Sequence, residues 1–178
     1  MKAHLIFLTV SAFFLYLLSS CELKSNNKHV QQSLAAIDSS NYAVLKFDTN
    51  DTWLFDDATP SNLEQSEIEE IDSILKLCID TFNINQQLHF NRISNSHPDY
   101  NLKVDDFIVN LSRYRRQYFP VINSEGHKEV WVNCFCNDFD KNWRNEMLIV
   151  FDGGNCYFNL IINLTTKTFY RFMVNGDA

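Results

Sequence analysis

Apolar residues recur at helical spacing in one stretch of the chain and alternate with polar residues in several others. The helical stretch is one-sided, and its apolar members are Ile68, Ile71, Leu75, Cys78, Ile79 and Phe82. Residues three or four apart share one face of a helix, so these side chains form a single stripe. Ser66 and Glu69 have the spacing of a capping box, which predicts that the helix begins at Ser66. Asn83 and Asn85 predict its end.

Alternation with a period of two occurs on both sides of this helix and predicts a sheet. The predicted strands are 42–47 before the helix and 113–122, 128–136, 146–151, 155–163 and 168–174 after it. Turn residues at 123–126 and 152–155 make short links, which favour antiparallel neighbours. The pattern predicts a single α+β domain over 41–178, in which one main helix packs on a curved antiparallel meander sheet of four to six strands. This plan resembles the cystatin-like and NTF2-like folds.

Residues 84–112 carry neither period. Asn, Ser, His and Pro interrupt this stretch as far as Tyr100. A connection of this length is uncommon in a compact domain. The segment is therefore either a functional loop or a stretch whose structure the pattern does not predict.

The first twenty residues have the order of a signal peptide, with a positive Lys2, an apolar run over 5–18 and small residues before Cys21. The run is shorter than the about 20 apolar residues that a transmembrane helix needs. The sequence Leu-Ser-Ser-Cys at 18–21 resembles the lipobox of bacterial lipoproteins. The resemblance implies cleavage before Cys21, attachment of lipid such as palmitate to that cysteine, and a membrane anchor. The polar residues that follow predict a flexible tether over 21–40.

The formal net charge of the chain is −7 at pH 7, and loss of Lys2 with the leader makes the remainder more negative. Proteins bind nucleic acid through Lys and Arg that neutralise phosphates, so this charge argues against a nucleic-acid partner. The basic cluster Arg113, Arg115 and Arg116 lies in a predicted strand. Solvation, or pairing with acidic side chains, explains this cluster better than a phosphate site does.

Four cysteines lie beyond Cys21, namely Cys78, Cys134, Cys136 and Cys156. An exported domain can oxidise them, and four cysteines allow three pairings. Cys134 and Cys136 are two residues apart in a predicted strand, which places their Cα atoms about 7 Å apart and argues against a bond between them. The pattern favours thiols that pack as small apolar side chains over disulfides. Cys-x-Cys without a nearby histidine is not a usual zinc-ligand spacing.

Alternation in the C-terminal strands assigns their side chains to two faces. One set is apolar or small throughout and is expected to face the helix: Val130, Val132, Cys134, Cys136, Cys156, Phe158, Leu160 and Ile162. The other set combines aromatic rings and carboxamides: Trp131, Asn133, Phe135, Tyr157 and Asn159. If this second face is exposed, it is a binding surface. If segment 84–112 or the tether covers it, it is a second small core, and both interpretations stay open at this point.

No group of residues has the pattern of a catalytic site, and the sequence predicts neither a cofactor nor a metal site. The histidines lie in the leader, the tether, segment 84–112 and one turn. Asp138, Asp140 and Asn142 have the spacing that opens a calcium loop. Trp143 replaces the glycine and Ile149 the glutamate that such a loop requires, so calcium binding is disfavoured.

Three C-terminal stretches resemble uncharacterised small lipoproteins of Bacteroidota-type bacteria: YRRQYFPVIN at 114–123, VWVNCFC at 130–136 and DGGNCYFNLIINLTTKTFYRFMVNGDA at 152–178. The resemblance implies a location in the cell envelope and a shared α+β fold, and it brings no activity and no functional residue. Glu22 stands where the inner-membrane retention signal has aspartate, so the outer membrane is the expected location.

These observations favour a non-catalytic binding module of the cell envelope, which takes a protein or a small ligand on the aromatic and carboxamide face. A small-molecule carrier or an enzyme, with a pocket between helix and sheet, is the alternative. An envelope immunity or inhibitor protein is a third hypothesis. Whether the protein is an enzyme stays open, and the missing acid–base cluster argues against it.

Overall fold

One long helix and a six-stranded sheet form the two layers of the fold. The structure is a computed structural model that describes residues 39–137 and 141–176. Helix α1 spans Gln65–Ser96, and the strands are β1 (Tyr42–Val44), β2 (Thr59–Pro60), β3 (Arg115–Ile122), β4 (Lys128–Phe135), β5 (Tyr157–Asn163) and β6 (Thr168–Val174). The predicted α+β class, with one helix on a sheet, is confirmed.

The strands follow the order β1-β3-β4-β5-β6, and β2 pairs with β3 on the same edge as β1. Strands β3 to β6 form the predicted antiparallel meander. Strand β1 instead runs parallel to β3, with Tyr42 opposite Arg116. A parallel neighbour needs a long crossover, and α1 lies in that connection. The expectation of an antiparallel sheet throughout is therefore wrong at this edge.

Helix α1 begins earlier and ends later than the pattern predicts. Glu64 is the N-cap and forms a capping box with Glu67, so Ser66 is already inside the helix. Asn83 does not end the helix, because its carboxamide bonds the backbone N–H and C=O of Val109, both at 2.8 Å. Beyond it, Phe90 packs edge-on against Phe107 with ring centroids 5.4 Å apart. The N-terminal part of segment 84–112 is thus helical, and the rest is made of short 3₁₀ turns that fold back on α1.

The predicted helix-facing side of the sheet is a continuous apolar core. Its buried members from α1 are Ile68, Ile71, Leu75, Cys78 and Ile79, and those from β4 and β5 are Val130, Val132, Cys134, Phe158, Leu160 and Ile162. Cys136 packs at the margin of this core. Cys156 packs instead against a cluster on the opposite side, around Phe135 and Trp143. The face assignment is therefore confirmed except at Cys156, which lies in a 3₁₀ turn rather than in the strand.

The opposite face of the sheet is buried too. Trp131, Phe135 and Tyr157 are almost fully enclosed, so of the two interpretations left open by the sequence, the second core is the one that holds. The cover is also different from the one predicted. It consists of residues 45–58 and 141–151, here called the first and second covering segments. The tether lies almost wholly outside the described residues.

The second covering segment includes the predicted strand 146–151, which is not a strand. Its apolar residues alternate between buried and exposed positions, as in a strand, but its backbone bonds go to side chains. The N–H of Leu148 donates to Gln117 and its C=O accepts from Asn133, while the C=O of Val150 accepts from Asn175. Because these bonds satisfy the backbone, the segment needs no neighbouring strand.

A disulfide joins Cys136 to Cys156, with their Cα atoms 5.0 Å apart. The preference for four free thiols is therefore wrong for this pair. The two residues follow β4 and precede β5, and the antiparallel register brings them together. Cys78 and Cys134 are free and buried, as small apolar side chains, and Cys134 does not pair with Cys136.

Candidate functional site

A cavity of about 570 Å³ opens on the covered side of the sheet, between both covering segments and the end of β6. Its lining residues are Trp53, Trp131, Asn133, Leu148, Ile149, Val150, Phe151, Asn159, Met173, Val174, Asn175 and Gly176. Of the predicted binding face, Trp131, Asn133 and Asn159 thus share one cavity. Phe135 and Tyr157 do not line it, because they belong to the neighbouring buried cluster.

Apolar side chains surround the mouth of the cavity. Trp53 is 53% exposed and stands edge-on to Trp131, with ring centroids 5.8 Å apart. Phe151 is 89% exposed and Met173 61% exposed, and Ile149 is also largely exposed. Large apolar side chains grouped on a surface, rather than scattered singly, mark an interaction site.

Three carboxamides contribute to the polar part of the lining, namely Asn133 and Asn159 on adjacent strands and Asn175 after β6. Asn133 and Asn159 lie directly opposite each other in the β4–β5 ladder. Nδ2 of Asn133 donates to Leu148 O at 2.8 Å and to Gln117 Oε1 at 3.1 Å, and Oδ1 of Asn159 accepts from Trp131 Nε1 at 3.3 Å. Among the described residues, Oδ1 of Asn133 and Nδ2 of Asn159 have no hydrogen-bond partner. The cavity therefore offers both a hydrogen-bond acceptor and a hydrogen-bond donor that a ligand can use.

Gln117 holds the second covering segment in place from inside the fold. Its side chain is fully buried at the centre of β3. Nε2 donates to Trp143 O at 2.5 Å and to Glu146 O at 2.6 Å, and Oε1 accepts from Leu148 N at 2.9 Å. A buried carboxamide with all its groups bonded fixes its partners in one arrangement.

Three further contacts position the remaining walls. Asn175 donates to Val150 O at 2.6 Å and to Asp152 O at 3.0 Å, which ties the end of β6 to the second covering segment. Arg171 donates to Leu54 O at 3.3 Å and reaches the first covering segment. The Cys136–Cys156 disulfide closes the base of the loop that carries the second covering segment. All three contacts hold residues that are distant along the chain.

No charged side chain is among the residues that line this cavity. Charged groups gather instead in a separate cleft of about 680 Å³ beside α1, which includes Asp72, Lys76, Asp80 and Arg116. There Arg116 Nη1 lies 2.8 Å from Asp72 Oδ1, as predicted for a paired arginine, and Lys76 Nζ lies 2.6 Å from Asp80 Oδ2. Burial raises the pKa of Asp72 although Arg116 beside it lowers that pKa. Each of these four charged side chains thus has a neighbour of opposite charge in the cleft.

The buried thiols of Cys78 and Cys134 are poor nucleophiles. Burial raises the pKa of Cys78 to about 11 and that of Cys134 to about 12. A thiol acts as a nucleophile in its deprotonated form. Both cysteines therefore stay protonated at neutral pH and serve the packing of the core.

The other predicted sites have the following positions. Cys21, Asp138 and Asp140 lie outside the described residues. Asn142 and Trp143 belong to the second covering segment, and Trp143 is buried between the segment and the sheet. Across residues 39–137 and 141–176, no set of three His, Cys, Asp or Glu side chains could hold a metal ion. Within the same ranges, no helix has the length and apolar character needed to cross a membrane.

Sequence reasoning missed the walls of the cavity, namely Trp53, Ile149, Phe151 and Asn175. Trp53 stands in a polar, aspartate-rich connection, where a large apolar residue is itself a signal of packing or binding. The alternation at 146–151 predicts a strand, and this prediction does not indicate that Ile149 and Phe151 lie at the rim of a cavity. Comparison with protein-family models, curated proteins and solved structures finds no match to this chain.

Proposed function

We propose that this protein is a non-catalytic binding module of the cell envelope. It holds an uncharged and largely apolar group of its ligand in the cavity of about 570 Å³ that Trp53, Trp131 and Asn159 line. The observation that carries the proposal is the chemistry of the lining. It combines exposed apolar side chains with a spare hydrogen-bond donor and a spare acceptor, and it has no charged side chain. Ligand sites of this kind are mostly apolar, with a few polar groups that set orientation.

The anchor is the second part of the proposal. Lipid on Cys21 would hold the domain at a membrane, with the outer membrane as the expected one. The test is incorporation of labelled palmitate in the native chain and in Cys21→Ala. Label is expected in the first and absent from the second, and label that persists in Cys21→Ala would contradict the anchor.

The cavity is tested with two small probes of matched shape. N-acetyl-leucinamide is neutral and carries amide groups beside an apolar side chain, whereas N-acetyl-leucine carries a carboxylate. We expect the neutral probe to shift the side-chain NMR signals of Asn133 and Asn159 in the full chain carrying Cys21→Ser, kept in detergent micelles because the apolar run at 5–18 remains. The charged probe should bind at least about tenfold more weakly, because the cavity has no cation to compensate for the loss of carboxylate hydration.

A matched pair of variants locates the binding. Met173→Lys places a charge at the rim, and Leu77→Lys places one on the outer surface of α1, where the native side chains are 61% and 62% exposed. Met173→Lys should weaken binding of N-acetyl-leucinamide severalfold, whereas Leu77→Lys should leave it unchanged. Equal effects of both variants, or no shift at Asn133 and Asn159, would overturn the proposal.

The carrier or enzyme alternative requires a pocket between helix and sheet. The space between α1 and the sheet is filled by the apolar core, and the cleft beside α1 holds ion pairs. No specific observation favours this alternative or the immunity and inhibitor hypothesis over the binding module.

A further inference from the structure

We infer that the partner of this cavity is an extended peptide segment, which pairs with the outer edge of β6, inserts one apolar side chain into the cavity and carries basic residues beside it. The inference rests on the proposed function and names the chemistry of the partner. Three observations carry it: an open strand edge, its position next to a cavity with an apolar and uncharged lining, and the charge of the first covering segment.

Strand β6 is an open edge of the sheet. It pairs with β5 on one side, and among the described residues no strand pairs with its other side. Five of its seven residues are exposed. The backbone N–H and C=O groups of such an edge are a template on which another chain can add a strand.

The open edge and the cavity adjoin each other. Met173 and Val174 of β6, together with Asn175 and Gly176, line the cavity. In a peptide paired with an edge strand, alternate side chains project to the same face of the sheet. A segment paired along residues 172–174 would therefore direct a side chain toward the cavity mouth while its backbone bonds the edge.

A β-bulge limits the pairing to this end of the strand. The β5–β6 register shifts between Asn159 and Ile161, and Arg171 has a positive φ of 53°. Bulges twist an edge and interrupt a ladder, which discourages unselective pairing along the whole strand. The part beyond the bulge, next to the cavity, is the part left for a specific partner.

The lining fits a peptide better than a charged ligand. The apolar rim of Trp53, Phe151 and Met173 fits a neutral side chain. A segment with an aspartate or glutamate at this position would lose the hydration of its carboxylate without gaining a cation.

The charge of the first covering segment indicates which residues of the partner peptide flank its inserted side chain. The first covering segment, residues 45–58, contains four aspartates and one basic residue, Lys46, and therefore has a net negative charge. Asp48, Asp56 and Asp57 are exposed on the same segment that carries Trp53. Charged surfaces of opposite sign favour encounter and register, so a basic segment suits this site. A second copy of the chain fits less well, because a symmetric pair would bring two such acidic segments to one interface.

The test uses four synthetic nine-residue peptides, acetylated and amidated. The parent has a central leucine, alternating threonine and valine beside it, and two lysines at each end. The others replace the lysines with glutamate, replace the leucine with serine, or carry N-methyl groups on alternate backbone amides. Binding is followed by NMR on the full chain carrying Cys21→Ser, at the backbone amides of Phe172 and Val174 and at the side chains of Asn133 and Asn159.

The parent peptide is expected to shift all four signals, and each altered peptide to bind at least about tenfold more weakly. Leu77→Lys should bind the parent as the native chain does, and Met173→Lys should bind it severalfold more weakly. A methylated peptide that binds as well as the parent would overturn edge pairing. A glutamate peptide that binds equally well would overturn the basic partner.

Two further outcomes separate this inference from the proposed function. If N-acetyl-leucinamide shifts Asn133 and Asn159 but the parent peptide leaves Phe172 and Val174 unshifted, the peptide inference fails and the cavity function stands. If neither probe shifts any of these signals, both fail. A dimer in sedimentation that Met173→Lys dissociates would identify a second copy as the occupant and would also overturn the inference.

Discussion

On one face of the sheet, Ile71 and Leu75 of α1 pack onto Val132 and Leu160. On the other face, Trp131 and Phe135 are covered by two segments without strand or helix pairing. Both faces exclude water from large apolar side chains. The helix satisfies its own backbone and packs on the sheet through the buried side chains between Ile68 and Ile79. The second covering segment depends on side chains of the sheet for several of its backbone bonds, and the cavity lies where the covering segments meet β6.

The difference suggests a division of roles. The helix-facing core contributes stability mainly through apolar area, since its buried members are nearly all aliphatic or aromatic. The covered face combines apolar burial with buried carboxamides at Gln117 and Asn133, which specify where each wall of the cavity stands. Four substitutions test this contrast, and they are ordered by the size of the expected effect.

Trp131→Ala tests whether the covered face is a true core. Trp131 is 4% exposed, so we expect a loss of about 4 kcal/mol in the free energy of unfolding, measured by urea denaturation. The control is Phe151→Ala, which alters a rim side chain that is 89% exposed and should change stability by less than about 0.5 kcal/mol. A loss below about 1 kcal/mol for Trp131→Ala would mean that the covering segments do not bury this face.

The double variant Cys136→Ser and Cys156→Ser tests the closure of the second covering segment. The bond spans a sequence separation of 20 residues, and closing a loop of this size stabilises a protein by about 3 kcal/mol. Unfolded without reductant, a chain carrying Cys21→Ser should expose the two thiols of Cys78 and Cys134. Four reactive thiols in that titration would contradict the disulfide. Reductant should lower the free energy of unfolding of the chain that retains Cys136 and Cys156, and it should leave that of the double variant unchanged.

Gln117→Leu tests the polar contact that holds the same segment. The change leaves Trp143 O, Glu146 O and Leu148 N without their partner, and we expect a loss of about 2 kcal/mol. Hydrogen exchange should accelerate in residues 141–151 and stay slow in α1, because the helix makes its own bonds. Gln87→Leu, at an exposed position of α1, is the control. Uniform acceleration across both faces would show that Gln117 acts on global stability rather than on this segment.

The contrast between the faces also explains what the sequence could predict. The stripe from Ile68 to Phe82 and the strand alternation from 128 to 163 are periodic, and both led to the correct core and meander. The covering segments are held by bonds such as Gln117 to Leu148 and Asn175 to Val150, which join residues far apart in the chain. Such bonds have no period, so neither the segments nor the cavity could be predicted.

Predictions from single polar residues can be wrong for the same reason. Asn83 predicts a helix end when only its own chain neighbours are considered, yet its carboxamide bonds Val109 across the fold and the helix continues. Trp131, Asn133 and Asn159 were found because the alternation placed them on one face. Trp53 and Phe151 complete the cavity from segments whose positions depend on tertiary contacts.

Glu67→Gln, on the helix side of the sheet, should have the smallest effect on stability. It tests directly whether the helix side and the covered side act separately. Lys128 Nζ lies 2.7 Å from both carboxylate oxygens of Glu67. Burial raises the pKa of Glu67. The backbone N–H of Glu64 and the ammonium of Lys128 together lower that pKa by more, so it lies below its ordinary value of 4.5. A lowered pKa in the folded state stabilises the fold above pH 4.5, and this contribution is lost as the pH falls through the lowered value. Because the pair is partly exposed, the loss in Glu67→Gln at neutral pH should be below about 1 kcal/mol.

Urea denaturation between pH 3 and pH 7 checks this, with Glu69→Gln on the exposed surface of the same helical turn as the control. The stability difference between native and Glu67→Gln chains should shrink as the pH falls, and a difference that grows would contradict the assigned pKa direction. Binding of N-acetyl-leucinamide should be the same in both chains, since Glu67 contacts neither covering segment. Gln117→Leu, by contrast, should weaken that binding even in conditions where the chain stays folded. If Glu67→Gln weakened binding as Gln117→Leu does, the two faces would be coupled, and the separate roles assigned to them would be wrong.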